Sequence, residues 1–266
     1  MTNRIDRCLT LVKSKNEIAV VPYITVGYPT IDLSIDIVKG IITSGAHMIE
    51  LGIPFSDPLA DGPTIQMTNF KALSNGANLR SAIELLRLIR KDDVETPIIF
   101  MGYYNPFLNH GTSDLLKEAA LSGLDGLIVP DLPLEESSPI VEECKSNGIH
   151  FIPLLSPTST DERISLACSQ AGGFVYCVSL TGVTGARKRL SSGIEALVDR
   201  IRKHTDLPVL VGFGITSRAD VLEIGKFADG AVVGSALLDS ISNARFGEEV
   251  ETASRFIGQL ALKEKF

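Results

Sequence analysis

The sequence predicts an α/β fold, a single-domain (β/α)8 barrel over residues 1–266 with extra helices at the N-terminus and after the second strand. Three observations carry this expectation. Eight short runs rich in Val, Ile and Leu recur, each followed by a turn signal and then by a stretch with apolar residues spaced three and four apart. Such alternation implies parallel strands joined by helical crossovers. The 266 residues suit one barrel, which commonly takes about 250, and no linker of low-complexity composition interrupts them.

The strands are expected at residues 19–25, 48–51, 97–101, 126–130, 150–155, 174–178, 208–212 and 230–233. Runs such as Pro208-Val209-Leu210-Val211 are near-continuously apolar. That fits strands covered by helices on one face and by the barrel interior on the other, whereas simple alternation indicates an exposed face. Helices are expected at 33–44, 81–89, 114–122, 136–147, 161–170, 194–204, 217–226 and 247–263, several opened by Ser or Asp caps. The stretches 4–15 and 64–73 exceed the simple repeat and read as barrel decorations. Periodicity alone leaves a doubly wound open sheet as the alternative; eight units in this length favour closure.

Composition narrows the function. Hydrophobic residues make up 44% and charged residues 21%, so a large core is expected and long disorder is not. The net charge is -7 and basic residues come in short groups such as Arg187-Lys188-Arg189, which argues against a nucleic-acid partner. Cys8, Cys144, Cys168 and Cys177 lack CxxC spacing and the four histidines are scattered, so neither a zinc cluster nor a disulfide framework is expected. The opening Met1-Thr2-Asn3-Arg4-Ile5-Asp6 has no apolar signal region, and no apolar run approaches the roughly 20 residues that span a bilayer. No membrane association is expected, and the expected location is cytoplasmic, or plastid stroma for an organelle-encoded protein.

In such a barrel the loops after the strands' C-terminal ends build the site. The segment Glu50-Leu51-Gly52-Ile53-Pro54-Phe55-Ser56-Asp57-Pro58-Leu59-Ala60-Asp61-Gly62-Pro63 places one carboxylate in a strand and two in the following loop. Glu50 is the anomaly. An acid in an apolar strand loses hydration, which raises its pKa and suits it to general acid and base work. The competing reading is a buried ion pair that ties a loop down. Asp57 and Asp61, beside Pro and Gly, read singly as turn formers.

Gly182-Val183-Thr184-Gly185-Ala186-Arg187, Gly212-Phe213-Gly214 and Gly234-Ser235-Ala236 follow the sixth, seventh and eighth strands. Glycine lets backbone N–H groups approach phosphate oxygens, and a short helix beginning at Ser235 adds its positive end. One such segment is weak evidence, since glycine also ends strands; their joint placement matches the common barrel phosphate site.

Pro22-Tyr23-Ile24-Thr25-Val26-Gly27, the Glu50–Pro63 string, Gly182–Arg187 and Gly212–Gly214 closely resemble tryptophan synthase alpha chains, and the likeness covers nearly the whole chain. The resemblance implies a TIM-barrel lyase that splits indole-3-glycerol phosphate into indole and glyceraldehyde 3-phosphate by a retro-aldol cleavage. By it, Glu50 and Asp61 are the catalytic pair, Glu50 moving protons and Asp61 binding the indole N–H. Tyr23, Met101, Tyr103, Tyr176 and Thr184 line the substrate site, the last from a mobile lid. Gly185, Phe213, Gly214, Gly234 and Ser235 hold the phosphate. Tyr23, Met101, Tyr103 and Tyr176 read equally well as barrel packing. Tyr28 stands where many relatives carry Asp, at a peripheral position.

The resemblance also implies a separate beta chain that carries pyridoxal phosphate and receives indole through a tunnel, in an alpha-beta-beta-alpha heterotetramer, with no cofactor or metal in this chain. Partner contacts are expected from the Asp57-Pro58 loop and from Asn105-Pro106-Phe107-Leu108-Asn109-His110, whose apolar, Pro-bearing character reads as exposed. The rival readings are a stand-alone lyase, another phosphate-binding barrel such as a sugar-phosphate isomerase, and a catalytically silent activating subunit.

Overall fold

The computed structural model describes residues 2–178, 187–212 and 214–262, with backbone alone for 187–192. The strands are β1 (Ala19–Thr25), β2 (Ile49–Gly52), β3 (Ile98–Met101), β4 (Gly126–Ile128), β5 (His150–Phe151), β6 (Leu154–Leu155), β7 (Val175–Val178), β8 (Val209–Gly212) and β9 (Gly230–Val233). They pair in parallel in the order β5-β4-β3-β2-β1-β9-β8-β7-β6. The two ends of that order are halves of one expected strand. The Ile152 N–H donates to the Leu127 carbonyl at 2.9 Å on one side, and the Pro153 carbonyl accepts from the Tyr176 N–H at 3.1 Å on the other. Pro153 has no N–H to give the ladder, so the strand reads as two segments although it closes the ring. The molecule is a TIM barrel with eight strand positions.

Strand periodicity separates two apolar layers. Val20, Ile24, Ile49, Leu51, Ile98 and Phe100 pack outward under the helices, while Ala19, Val21, Met48, Ile99, Ile128, Ile152, Leu210 and Val232 fill the barrel. Because both faces are covered, all seven residues of β1 are buried. The N-terminal helix α1 (Arg4–Ser14) plugs the bottom with Ile5, Leu9 and Val12, each contributing on the order of 2 kcal/mol on burial. Its N-cap Asn3 accepts from the Ile5 N–H and donates to the carbonyls of Asp125 and Gly148, which fixes the plug's angle.

The outer helices are α2 (Ile31–Thr43), α3 (Pro63–Ser74), α4 (Leu79–Asp92), α5 (Tyr104–His110), α6 (Thr112–Leu121), α7 (Ser138–Ser146), α8 (Asp161–Gln170), α9 (Arg187–Ile201), α10 (Arg218–Ile224), α11 (Ser235–Ser242) and α12 (Glu249–Leu260). Helix α5 departs from expectation, since its residues read as an exposed segment. Pro106 lies in its first turn, where a missing N–H costs no helical bond. Phe107 is fully buried against Gly102, while Leu108 stays half exposed. Among the described residues, no helix is long and apolar enough to cross a membrane.

Candidate active site

The catalytic carboxylate expected in a strand lies in β2, opposite Tyr23 of β1 and Ile99 of β3. Glu50 shares parity with the inward-facing Met48, Tyr23 with Ala19 and Val21, and Met101 with Ile99, so all three point into the barrel's C-terminal half. Tyr176 enters from β7. Two glycines make room for the two tyrosines. A Cβ on Gly52 would collide with the Tyr23 hydroxyl, and one on Gly212 would lie 2.5 Å from the Tyr176 hydroxyl. The upper barrel thus trades core volume for a polar chamber.

Glu50 is 2% exposed. Burial, with the nearby Asp61 charge adding to it, pushes its pKa up to about 8. Its Oε1 has no hydrogen-bond partner, and no Lys or Arg among the described residues pairs with it. Among the described residues nothing supports the buried ion-pair reading, and the raised pKa keeps the acid protonated at neutral pH. Asp61 is raised to about 6 by burial, against a hydrogen bond with Tyr103 that lowers it. Asp57, the other loop carboxylate, is exposed and accepts from the Ser56 hydroxyl at 2.6 Å. Desolvation first, and neighbouring negative charge second, hold the phenols of Tyr23, Tyr103 and Tyr176 far up, so each is a neutral hydroxyl.

A short scaffold aims the Asp61 loop. Phe55 stacks on Tyr103 with ring centroids 5.3 Å apart, and the Ala60 N–H donates to the Tyr103 hydroxyl at 3.0 Å. The Phe55 N–H donates to Asn69 Oδ1 at 3.0 Å, and Gln66 donates to the Asp61 carbonyl at 2.9 Å. Helix α3 itself is tied to β1 and its loop by the Thr25–Thr68 hydroxyl pair at 2.7 Å and by Asn75, which donates to the carbonyls of Gly27 and Pro29. Thr68, Asn69 and Asn75 were missed by sequence reasoning. Their one signal is polarity on a helix that must cover a barrel, and polarity alone does not tell a buried partner from a solvated face.

Gly212 ends β8, Gly214 has φ +47, and Gly234 is the N-cap of α11, whose first residue is Ser235. Helices α10 and α11 follow successive strands yet begin differently. Ser217 and Asp220 form a capping box on α10, whereas α11 has neither a side-chain cap nor an acid in its first turn. The start of α11 thus has no side-chain acceptor among the described residues, which is the arrangement an anion suits. Thr184, Gly185 and Phe213 lie outside the described residues. No group of three metal-ligating side chains occurs among the described residues. A separate surface cleft of about 400 Å³ is lined by Arg80, Ile83, Glu84, Arg87, His110 and Glu118 and shares no residue with this chamber.

A barrel with two raised carboxyl groups, a ring of neutral phenols and an uncapped helix start is suited to proton transfer on an apolar, phosphorylated substrate. A family model described as tryptophan synthase alpha chain matches residues 9–264. The chain belongs to the tryptophan synthase alpha chain family. It is 45% identical over 255 residues to the tryptophan synthase alpha chain of Roseiflexus castenholzii, covering 96% of this chain and 98% of that one. It is 40% identical to a protein named tryptophan synthase from Saccharomyces cerevisiae, covering 97% of this chain and 36% of that longer one. Among solved structures, tryptophan synthase subunit alpha from Legionella pneumophila superposes with a TM-score of 0.91 at 33% identity, covering 98% of both chains. Tryptophan synthase from M. tuberculosis in an aminoacrylate-bound form gives 0.88 at 30%, again covering 98% of both chains. The family cleaves indole-3-glycerol phosphate, and this chain is accordingly a carbon–carbon lyase of tryptophan biosynthesis. Alpha chains of the family normally pair with a beta chain, to which pyridoxal phosphate belongs.

Proposed function

We propose that Glu50 carries the proton transfers of this cleavage and that Asp61 holds the indole. The observation that carries the reading is the buried Glu50 carboxyl, whose Oε1 has no hydrogen-bond partner among the described residues, with the Asp61 carboxylate nearby. Protonated at neutral pH, Glu50 delivers its proton to C3 of the indole ring. The bond from C3 to the glycerol carbon then breaks, its electron pair returning to the ring as the adjacent hydroxyl becomes a carbonyl. The Glu50 carboxylate takes the hydroxyl proton, so indole and glyceraldehyde 3-phosphate leave with the acid restored. Asp61 faces the ring nitrogen and offsets the positive charge that develops there.

The uncapped start of α11 at Gly234 and Ser235, with Gly214, supports a phosphate site at the same end of the barrel. Tyr23, Met101, Tyr103 and Tyr176 form the walls around the ring. Thr184, Gly185 and Phe213 enter this reading through the family resemblance alone. We infer one lyase domain that needs no cofactor of its own and works in the cytoplasm or a plastid stroma. Leu59 is 91% exposed in the Asp61 loop and Leu108 52% exposed on α5, which supports this end as the docking face for a beta chain. An alpha-beta-beta-alpha assembly that receives indole through a tunnel follows from that docking.

Purified protein is assayed for indole release from indole-3-glycerol phosphate, with and without a tryptophan synthase beta chain, alongside Glu50→Gln and Asp61→Asn. Release by the wild type, acceleration by the beta chain and near loss in both variants is the expected pattern. Equal turnover with and without the beta chain would instead favour a stand-alone lyase.

A further inference from the structure

Asp61 sits on a loop whose residues Ser56, Asp57, Leu59 and Ala60 are exposed. Two turns tie that loop to itself: the Leu59 N–H donates to the Asp57 carbonyl at 2.9 Å, and the Asp61 N–H donates to the Pro58 carbonyl at 3.0 Å. Neither bond fixes the loop to the barrel. A carboxylate that must meet a ring nitrogen needs a firmer hold than that, because small misplacements of a reacting geometry are costly.

Asn69 supplies one from α3. It is 2% exposed, on a helix face turned to the barrel where an apolar side chain would need no partners. Its Nδ2 donates to the Ile65 carbonyl at 2.9 Å, one turn back in the same helix, and its Oδ1 accepts from the Phe55 N–H at 3.0 Å. A carbonyl only accepts and a backbone N–H only donates, so these two partners decide which way round the amide lies. The bond to Ile65 holds the side chain against its own helix with the oxygen turned to the loop.

Phe55 carries that hold inward. Its ring stacks on Tyr103 with centroids 5.3 Å apart and planes 30° from parallel. The Tyr103 oxygen accepts from the Ala60 N–H at 3.0 Å, and its own proton goes to the hydrogen bond with the Asp61 carboxyl. The geometry points to Asn69 as a positioning residue of the lyase site: its amide oxygen holds the Phe55 backbone, so that the Phe55 ring keeps Tyr103, and Tyr103 keeps Asp61, in place for the indole. The start of α11, to which we assign the phosphate, follows β9 and lies outside this path. Loss of Asn69 therefore acts on turnover and spares phosphate binding.

This inference rests on the reading that Asp61 holds the indole, so one readout is independent of turnover. Full-length protein is labelled with fluorotyrosine and followed by fluorine NMR; the Tyr103 resonance is the one lost in Tyr103→Phe, and Phe55→Leu gives its position without the stacked ring. Asn69→Ser keeps a hydroxyl that can bond back to the Ile65 carbonyl but is one bond too short for the Phe55 N–H. Asn69→Asp keeps an acceptor for that N–H while burying a carboxylate. In Asn69→Ser the Tyr103 resonance moves toward its Phe55→Leu position, and kcat for indole release from indole-3-glycerol phosphate falls roughly 10- to 100-fold. The inhibition constant of inorganic phosphate stays as in the wild type. Asn69→Asp melts lower yet keeps the wild-type resonance and most of the turnover. A role in packing alone gives the reverse order of activity, since the buried charge is the greater disturbance, and that order overturns the proposal. So does an unmoved Tyr103 resonance in folded Asn69→Ser, which decides the matter if Asn69→Asp does not fold. Phe55→Leu already breaks the path, so adding Asn69→Ser to it lowers kcat no further; losses that multiply count against the proposal. Full kcat in Phe55→Leu overturns it whatever the folding of the Asn69 variants. Full turnover in Asp61→Asn would instead overturn the reading of Asp61 and leave the resonance result standing.

Discussion

Two carboxylates, Asp125 at the bottom of the barrel and Glu50 near the top, are each 2% exposed and live in opposite surroundings. Asp125 pairs with Arg4 at 2.9 Å and Arg90 at 2.8 Å, and accepts from the Ile98 N–H at 2.8 Å. Arg90 also donates to the carbonyls of Gly123, Asp93 and Thr96, so the bottom is a closed network. Glu50 Oε1 has no donor among the described residues. The same fold thus pairs one buried acid with cations to hold the N-terminal plug and leaves another, kept protonated, without a described partner in the part of the barrel where we place the proton transfers. Burial alone does not decide what an acid does; its partners do.

The contrast breaks most visibly at Glu50. Glu50→Gln keeps the shape and removes the exchangeable proton, so indole release falls by about 10²–10⁴-fold in a steady-state assay while the fold persists. At the other end, Asp125→Ala leaves Arg90 partly buried without its carboxylate and costs about 3–5 kcal/mol, read by urea denaturation, with activity lost only as the protein unfolds.

Stability against pH separates the two acids next. Glu50 is raised in the folded protein to about 8 from its usual 4.5, so between those values the folded state holds a proton that the unfolded state has released. Stability from this group is full below about pH 4.5 and is lost as pH climbs toward 8, on the order of 5 kcal/mol in total. Asp61 acts in the same direction over a lower window, from its usual 3.8 to about 6. Wild type should therefore weaken relative to Glu50→Gln as pH rises from 5 to 8; parallel denaturation curves for the two would contradict the raised pKa.

Smaller effects sharpen the picture. Gly52→Ala puts a methyl group into the Tyr23 hydroxyl and should cost about 1–3 kcal/mol by thermal melting, together with a loss of activity, because the tyrosine must move. Asp6→Asn removes the carboxylate charge from the His150–Asp6 contact at 2.9 Å between α1 and β5. Both side chains are partly exposed, so less than about 1 kcal/mol is expected.

Much of this was legible before any coordinates. Near-continuous apolar runs marked β1 and β9 to the residue, because a strand covered on both faces leaves no polar position to blur its ends. An acid inside such a run, at Glu50, was conspicuous for the same reason. The fifth strand was legible as one run, but Pro153 splits its ladder without opening the barrel. The apolar, Pro-bearing stretch of α5 reads as an exposed interface segment, yet Pro106 in a first helical turn is no obstacle to a helix and Phe107 is buried. Asp57 and Asp61 looked alike in sequence, and only the folded loop turns one to Tyr103 and the other to solvent.

The sequence by itself determined the strand-helix alternation, the acid placed in an apolar strand and the glycines placed after the last strands, since each is a local departure from the pattern around it. Tertiary structure alone decided that no cation among the described residues pairs with Glu50, that Gly52 yields its space to Tyr23, and that Thr68 reaches Thr25 across 43 positions of chain. Partners of that kind are set by barrel closure, which brings together side chains whose separation along the chain carries no trace of their contact.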